Sequence, residues 1–262
     1  MRENSSTFPW GVYIGDLSDD QKALPLLIPS NRGGFSVSFD ESSEDDASDF
    51  IQRVVLKLMG VSDANLIKVN IFDFSYKKRF ADLWKLKDHD LYAISLDEEE
   101  AVADFAKLEK KLIHAYHELL SNKNPTLSHY NQNASTKEQY NVLIFNLEYF
   151  PQDEHLTKRM RDFFSAAHDA GFYTIVFASD ELQNQNHKSV DYFLNLFPVI
   201  SFKNHQTSLD KSLYPFDNDT QNQAYRFIQV DDDKTLLVDD ILINIQNEKE
   251  KTELKEPVAQ EF

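Results

Sequence analysis

Two stretches of this sequence set carboxylates just beyond an apolar run, the place where an α/β protein keeps its chemistry. The first is Asp40-Glu41-Ser42-Ser43-Glu44-Asp45-Asp46-Ala47-Ser48, directly after the alternating Phe35-Ser36-Val37-Ser38-Phe39. A strand-to-helix loop that binds a nucleoside triphosphate needs glycines, so that backbone amides face the phosphates. It also needs a Lys on the phosphates and a Ser or Thr hydroxyl on magnesium. Here Ser48 offers the hydroxyl, the glycines are missing, and Ala47 stands where the Lys belongs. Glu41, Glu44, Asp45 and Asp46 would face the phosphate oxygens. Like charges ~4 Å apart repel by ~1 kcal/mol even in water, and by more in a cleft. The stretch therefore reads as a solvated acidic N-cap loop from Asp40 onward, with a divalent-metal site built of these carboxylates as the alternative.

The second stretch is Val142-Leu143-Ile144-Phe145-Asn146-Leu147-Glu148. An apolar strand ending in a carboxylate pair would hold magnesium and activate water. Asn146 replaces the first acid and Glu148 remains, either as a vestige of that position or as an ordinary loop acid. Asp73 closes Val69-Asn70-Ile71-Phe72-Asp73, and Ser179 follows Phe172-Tyr173-Thr174-Ile175-Val176-Phe177-Ala178. Both are candidates because ligands of parallel sheets bind beyond the C-terminal strand ends. His114 and His117 share a helix face, but no HExxH spacing and no nucleophile elbow is present.

The elements that must position these residues alternate. Strands are expected at 10–15, 35–39, 66–74, 141–146, 172–178 and 199–202. Helices are expected from the 40–46 loop to Met59, from Asp97 to Leu120, over 154–170 up to a cap at Gly171, and over 190–196. Such alternation predicts an α/β fold, a mainly parallel sheet with helices on both faces. Tyr225–Val230 and Thr235–Ile245 read as a closing pair of strands. One domain over 1–247, with an extended lead-in, and a charged, disordered tail over 248–262 complete the reading. The helix from Ala101 to Leu120 carries two apolar stripes. Ala101, Phe105, Leu108, Leu112, Ala115 and Leu119 suffice for a sheet face. Val102, Ala106, Ile113, Tyr116 and Leu120 form a second stripe, which packs under the 122–140 loop or lines a groove for a partner helix.

Composition narrows the partners. The 262 residues carry a formal net charge of −17, the wrong sign for displacing counterions from DNA, so nucleic acid is not expected. There is no Cys, which removes disulfides and thiolate metal sites. No stretch approaches the roughly 18 apolar residues of a membrane span, and the polar N-terminus has no signal-peptide core. A cytoplasmic domain is expected, alone or as one part of a longer, membrane-anchored chain.

The order of these segments resembles the FtsK/SpoIIIE-type P-loop ATPase domains. In them a phosphate loop and its helix precede an acid-tipped strand, here 35–39, 47–59 and 69–73. A helix opened by acids then leads to a Tyr-Asn pair, here Asp97–Leu120 and Tyr130-Asn131. A second acid-tipped strand (142–148) follows, and then a helix, a Gly and a strand with a polar tip, here Ala170-Gly171 to Ser179. The resemblance covers about residues 10–205 and implies a RecA-like three-layer sandwich. It marks Asp40, Glu41, Glu44, Asp46, Ala47, Ser48, Asp73, Asn146, Glu148 and Ser179 as a degenerate nucleotide site, with no catalytic residue and no metal. ATP and magnesium serve related intact domains and would bind weakly or not at all here. Eroded copies of this kind are similar to the later ATPase-like domains of type VII (type VIIb) secretion coupling proteins. That likeness implies docking of small helical secreted proteins, sister ATPase domains in one chain, a possible hexamer and a membrane-anchored parent. It points to Val102, Ala106, Ile113, Tyr116 and Leu120 as the docking stripe. A non-hydrolysing subunit of an FtsK-like DNA translocase and a metal-dependent hydrolase using the 40–46 carboxylates are the competing functions.

Overall fold

Alternating apolar residues build a seven-stranded sheet at the centre of the molecule. The computed structural model describes residues 8–19, 21–63, 65–75, 77–151, 153–184, 188–214 and 225–253. The strands are β1 (Gly11–Ser18), β2 (Ala23–Pro29), β3 (Gly34–Phe39), β4 (Ile67–Phe72), β5 (Tyr92–Ile94), β6 (Tyr140–Asn146), β7 (Phe172–Ser179), β8 (Val199–Lys203), β9 (Gln206–Leu209) and β10 (Arg226–Gln229). The helices are α1 (Glu44–Gly60), α2 (Glu98–His114), α3 (Leu127–Asn133), α4 (Glu154–Ala167), α5 (Asp180–Asn184), α6 (Lys188–Leu194) and α7 (Lys234–Glu253).

The large sheet runs β5-β4-β6-β7-β3-β8-β9. Every neighbouring pair is parallel except β8–β9. Period-two alternation divides its residues between two cores. Val142 and Ile144 of β6 and Ile175 and Phe177 of β7 face the core that α1 covers. Leu143, Phe145 and Val176 face the core under α2, α4 and α6. That second core is aromatic: Phe72 stacks on Phe145 with centroids 4.4 Å apart, and Phe105 meets Phe163 at 5.2 Å. Helices on both faces of a mainly parallel sheet give the expected three-layer α/β sandwich.

Several expectations need correction. The lead-in is not merely extended. β1 and β2 pair antiparallel, and β10 pairs with the other edge of β1, so a separate three-stranded sheet forms. Its Val12, Ile14 and Ile28 pack into the core of α1. Residues 235–245 are helical within α7, not a strand. The buried residues Val238, Ile241 and Ile245 recur at three and four, the helical period, and the β-branched content of the segment masked it. Residues 248–253 continue that helix, so the expected disordered tail begins no earlier than 254; residues 254–262 lie outside the described set. The 122–140 connection holds α3, anchored by Thr126, whose hydroxyl accepts from the His129 amide.

The helix expected over 154–170 ends at Ala167 with His168 as its C-cap, so Gly171 closes the turn that follows rather than capping the helix. It adopts φ 83° just after α4, and its amide donates to His168 O at 3.1 Å. A Cβ there would lie 2.2 Å from Leu127 Cδ2, so α3 approaches β7 only because the residue is Gly.

Candidate functional site

The C-terminal tips of β3, β4, β6 and β7 bring together most of the residues singled out above. The turn after β3 is short. Asp40 caps a 3₁₀ turn over Glu41–Ser43, and α1 begins at once with Glu44. The expected acidic loop is therefore half helix. Glu44, Asp45 and Asp46 occupy the first turn of α1, where the dipole favours carboxylates. Asp40 turns its carboxylate back onto this corner and accepts from the Ser43 amide at 2.9 Å, the Ser42 hydroxyl at 2.8 Å and the Asn204 amide at 2.7 Å. The Asn204 amide, followed by Ser43, holds the Asp40 carboxyl down to about 2.

The β8–β9 turn closes over the same corner. Asn204 and His205 both adopt left-handed backbone. The His205 amide donates to Ser43 Oγ at 3.0 Å, and its ring Nδ1 lies 2.7 Å from Asp46 Oδ2. Ala47 is buried in the core, and Ser48 spends its hydroxyl on Asp45 O at 3.1 Å, inside the helix. Glu41 projects into solvent.

At the tip of β4 stands a residue that the sequence reading did not single out. Arg79 follows Asp73 by six positions, and its side chain is 4% exposed. Nη1 of Arg79 donates to both oxygens of Asp73, at 3.1 and 3.0 Å, and to Ser75 Oγ at 2.7 Å. Its Nε donates to Glu44 Oε1 at 2.9 Å, and Nη2 pairs with the same carboxylate. Lys77 pairs with the other oxygen of Glu44. Asp73 also accepts from Asn146 Nδ2 at 3.0 Å, so the amide that replaces an acid on β6 serves as a neutral donor to the acid on β4. Asn146 Oδ1 in turn accepts from the Glu148 amide at 3.1 Å. Glu148 Oε1 accepts from the Ser179 amide at 3.3 Å, and Ser179 Oγ accepts from the Leu182 amide at 3.3 Å. Asp73, Glu44, Asn146, Glu148 and Ser179 thus form one chain of contacts, with the Arg79 guanidinium at its centre, 5.8 Å from the Phe177 ring.

Charge balances within the cluster. Burial alone would lower the pKa of Arg79, but the Asp73 and Glu44 carboxylates outweigh it and hold the guanidinium above its ordinary value. Burial would raise Glu44, but Lys77 and Arg79 hold it below the usual carboxylate range. A buried carboxylate pair needs a cation, and here Arg79 is that cation. Sequence spacing carried one hint, because Asp73, Ser75, Lys77 and Arg79 alternate immediately beyond β4. Nothing in the one-dimensional pattern reveals that Glu44 meets the same guanidinium. Among the described residues, no group of three or more His, Asp or Glu side chains is arranged to hold a metal ion.

The second α2 stripe is not one continuous face. Val102, Ala106 and Leu120 are half-buried, whereas Ile113 is 57% exposed and Tyr116 43% exposed. Its upper part therefore does not pack under the 122–140 connection. α2 ends in a π-helical turn over Ala115–Leu119, and Tyr116 Oη donates to Ala166 O of α4 at 3.0 Å. Asn131 of the Tyr-Asn pair lies far from the strand tips and trades two 2.9 Å hydrogen bonds with the Glu138 backbone.

The fold recurs in solved proteins. Over 97% of this chain it matches EssC (ATPases 2 and 3) from Geobacillus thermodenitrificans, with a TM-score of 0.63 and 15% identity. It matches the cytoplasmic domain of EssC over 95%, with a TM-score of 0.63 and 13% identity. A third similar structure is Thermomonospora curvata EccC (ATPases 2 and 3) in complex with a signal sequence peptide, matched over 78% of this chain and 38% of that one, with a TM-score of 0.56 and 12% identity. The chain spans 51% of each EssC structure, about half. No protein-family model and no curated protein matches the sequence. The RecA-like sandwich expected from the segment order is therefore the observed fold, shared with the EssC and EccC ATPase structures.

Proposed function

We propose that this domain is a catalytically degenerate relative of the type VII secretion ATPases, kept for docking secreted proteins rather than for hydrolysing ATP. The observation that carries the reading is the Arg79 guanidinium, buried between Asp73 and Glu44 at the strand tips. In a RecA-like sheet that space receives the phosphates and their metal. Here a cation already belongs to the protein, and the two acids nearest it are neutralised. The helix N-terminus is used in the same way. An anion would be received there by free amides, but Asp40 takes the Ser43 amide, and Glu44, Asp45 and Asp46 line the first turn. A triphosphate would have to displace two ion pairs and approach several carboxylates.

The docking half of the reading rests on likeness and on exposed apolar residues. The Thermomonospora curvata relative was solved with a signal sequence peptide. In this chain Ile113 and Tyr116 keep large apolar surfaces in water beside α4. With Val102, Ala106 and Leu120 they form the proposed contact for a small helical secreted protein. The parent chain would join this domain to sister ATPase domains, assemble them, as a hexamer in one arrangement, and anchor them at the membrane. Among the described residues no helix is long and apolar enough to cross a membrane.

Calorimetry with magnesium ATP tests the first half, and the expected outcome is no binding heat at millimolar nucleotide and no turnover. Saturable nucleotide binding by the wild-type chain would sink it. For the second half, a small secreted helical-hairpin protein should bind the wild type and lose affinity to Ile113→Asp and Tyr116→Ala. Equal binding by all three would remove the stripe as the docking surface.

A further inference from the structure

Three cavities adjoin one another, from the N-terminal end of the sheet along α4 to its start beyond β6. The first, about 740 Å³, is lined with aromatic rings: Phe8, Trp10, Tyr140 and Tyr173 among others. The second, about 270 Å³, shares Asn31 and His168 with the first and adds Arg32, Arg161 and Tyr192. The third, about 1070 Å³, shares Arg161 with the second and continues past Lys158 to His155 and the start of α4. Together they form one groove that is aromatic at one end and basic along the rest.

The groove gathers cations that make no ion pair. In a chain of net charge −17, Arg53, Lys57, Lys68, Lys77, Arg79 and Arg159 each meet a carboxylate. Among the described residues, Arg32, Lys158 and Arg161 meet none. Arg161 instead sits over the Tyr192 ring, its Cζ 4.1 Å from the centroid, a cation–π contact that leaves its N–H donors without a carboxylate. Lys158 and Arg161 of α4 and its C-cap His168 recur at helical spacing, so they share one side. Carboxylates are present only at the margins: Asp153, already accepting from the Leu156 amide, with Glu154 at one end and Asp169 at the other. At the aromatic end, Tyr173 is fully buried, and its Oη has no hydrogen-bond partner. A buried hydroxyl without an acceptor is costly, and a ligand that enters the first cavity would supply one.

We infer that this groove takes an extended acidic segment of a partner protein, seated by an apolar or aromatic residue in the cavity of Phe8, Trp10 and Tyr173 and held along α4 by carboxylates on Arg32, Arg161 and Lys158. Charge complementarity selects the occupant, because three uncommitted cations in an otherwise acidic protein match carboxylates. A nucleic acid, with a charge on every residue, would be repelled by the rest of the surface. The inference shares with the docking reading only that the ligand is a protein, and it places that ligand on a different face from Ile113 and Tyr116.

Fluorescence anisotropy of the whole chain with a labelled peptide of one Trp followed by a run of Glu tests it. That peptide should bind, its Gln counterpart should bind at least about tenfold more weakly, and rising salt should weaken only the Glu form. Arg32→Glu combined with Arg161→Glu should abolish binding, Lys123→Glu should not change it, and Tyr173→Phe should weaken it while the fold stays intact by circular dichroism. Equal affinity for the Glu and Gln peptides would overturn the proposal, as would indifference to the arginine reversal or equal binding of a labelled oligothymidylate. Loss of the Glu peptide from the doubly reversed variant, with a secreted helical protein still bound as tightly as to the wild type, would support this groove and leave the α2 docking surface standing.

Discussion

The two ends of one parallel sheet are finished in opposite ways. At the C-terminal tips, acids and bases are packed against one another until each has a partner: Asp73 with Arg79 and Asn146, Glu44 with Arg79 and Lys77, Glu148 with the Ser179 amide. At the N-terminal end, the cavities stay open, cations lack counter-charges and a buried phenol lacks an acceptor. RecA-like sheets place their chemistry at the first end. In this molecule the first end is saturated and the second retains unmet binding capacity. A fold can therefore keep the same backbone while exchanging which end of the sheet is available to other molecules.

The largest expected effect tests whether the saturated end is structural. Arg79→Ala leaves Asp73 as an uncompensated buried carboxylate and Glu44 with Lys77 alone, and should cost about 3–5 kcal/mol in urea unfolding. A loss below about 1 kcal/mol, the worth of a surface ion pair, would mean that the cluster contributes little. Next comes the open end, whose shape depends on backbone. Gly171→Ala places a Cβ at a positive φ and against Leu127, and should lower stability by about 2 kcal/mol or more. Retained stability would show that α3 shifts freely and that the first cavity is not fixed.

A smaller effect concerns the β3 corner. Asp40 titrates at about 2 in the fold against 3.8 for an ordinary Asp. Its folded pKa is the lower, so its contribution is complete above about pH 4 and is lost as pH falls toward 2. Wild type should melt at a higher temperature than Asp40→Asn at pH 6, and the difference should shrink through that window. A constant difference would assign the effect to something other than the charge. The smallest effect is Tyr173→Phe, expected to raise unfolding free energy by about 1 kcal/mol, because it removes a buried hydroxyl that has no partner to lose. A destabilisation above about 1 kcal/mol would mean the hydroxyl is engaged and the contrast between the two ends is weaker than described.

Much of the sheet was legible because buried parallel strands leave continuous apolar runs, as in Val142–Phe145 and Phe172–Ala178. The helix starts were legible too, since Asp97 and Asp153 accept the amides three residues on. What failed was local pattern set against tertiary context. Leu236, Leu237 and Val238 look like strand, yet Val238, Ile241 and Ile245 dock on one side of α7. β2 carries Pro25 and Pro29, which punctuate a loop in sequence but are tolerated on the outer edge of a three-stranded sheet. At the strand tips, the residue types after Phe39 and Phe145 marked the place. Arg79 was missed because its partners stand 35 and 6 positions before it, and only folding brings the distant Glu44 to the same guanidinium as Asp73.

The pairing of β1 with β10 has a consequence for how the chain acquires its structure. Gly15 sits opposite Gln229, so β1 waits for a partner made about two hundred residues later. The seven-stranded sheet needs nothing beyond Leu209, but one edge of β1 has no partner until Arg226–Gln229 is available. Such distant pairings slow folding and leave strand edges unprotected meanwhile. The small sheet is therefore expected to be completed after the large sheet is already in place.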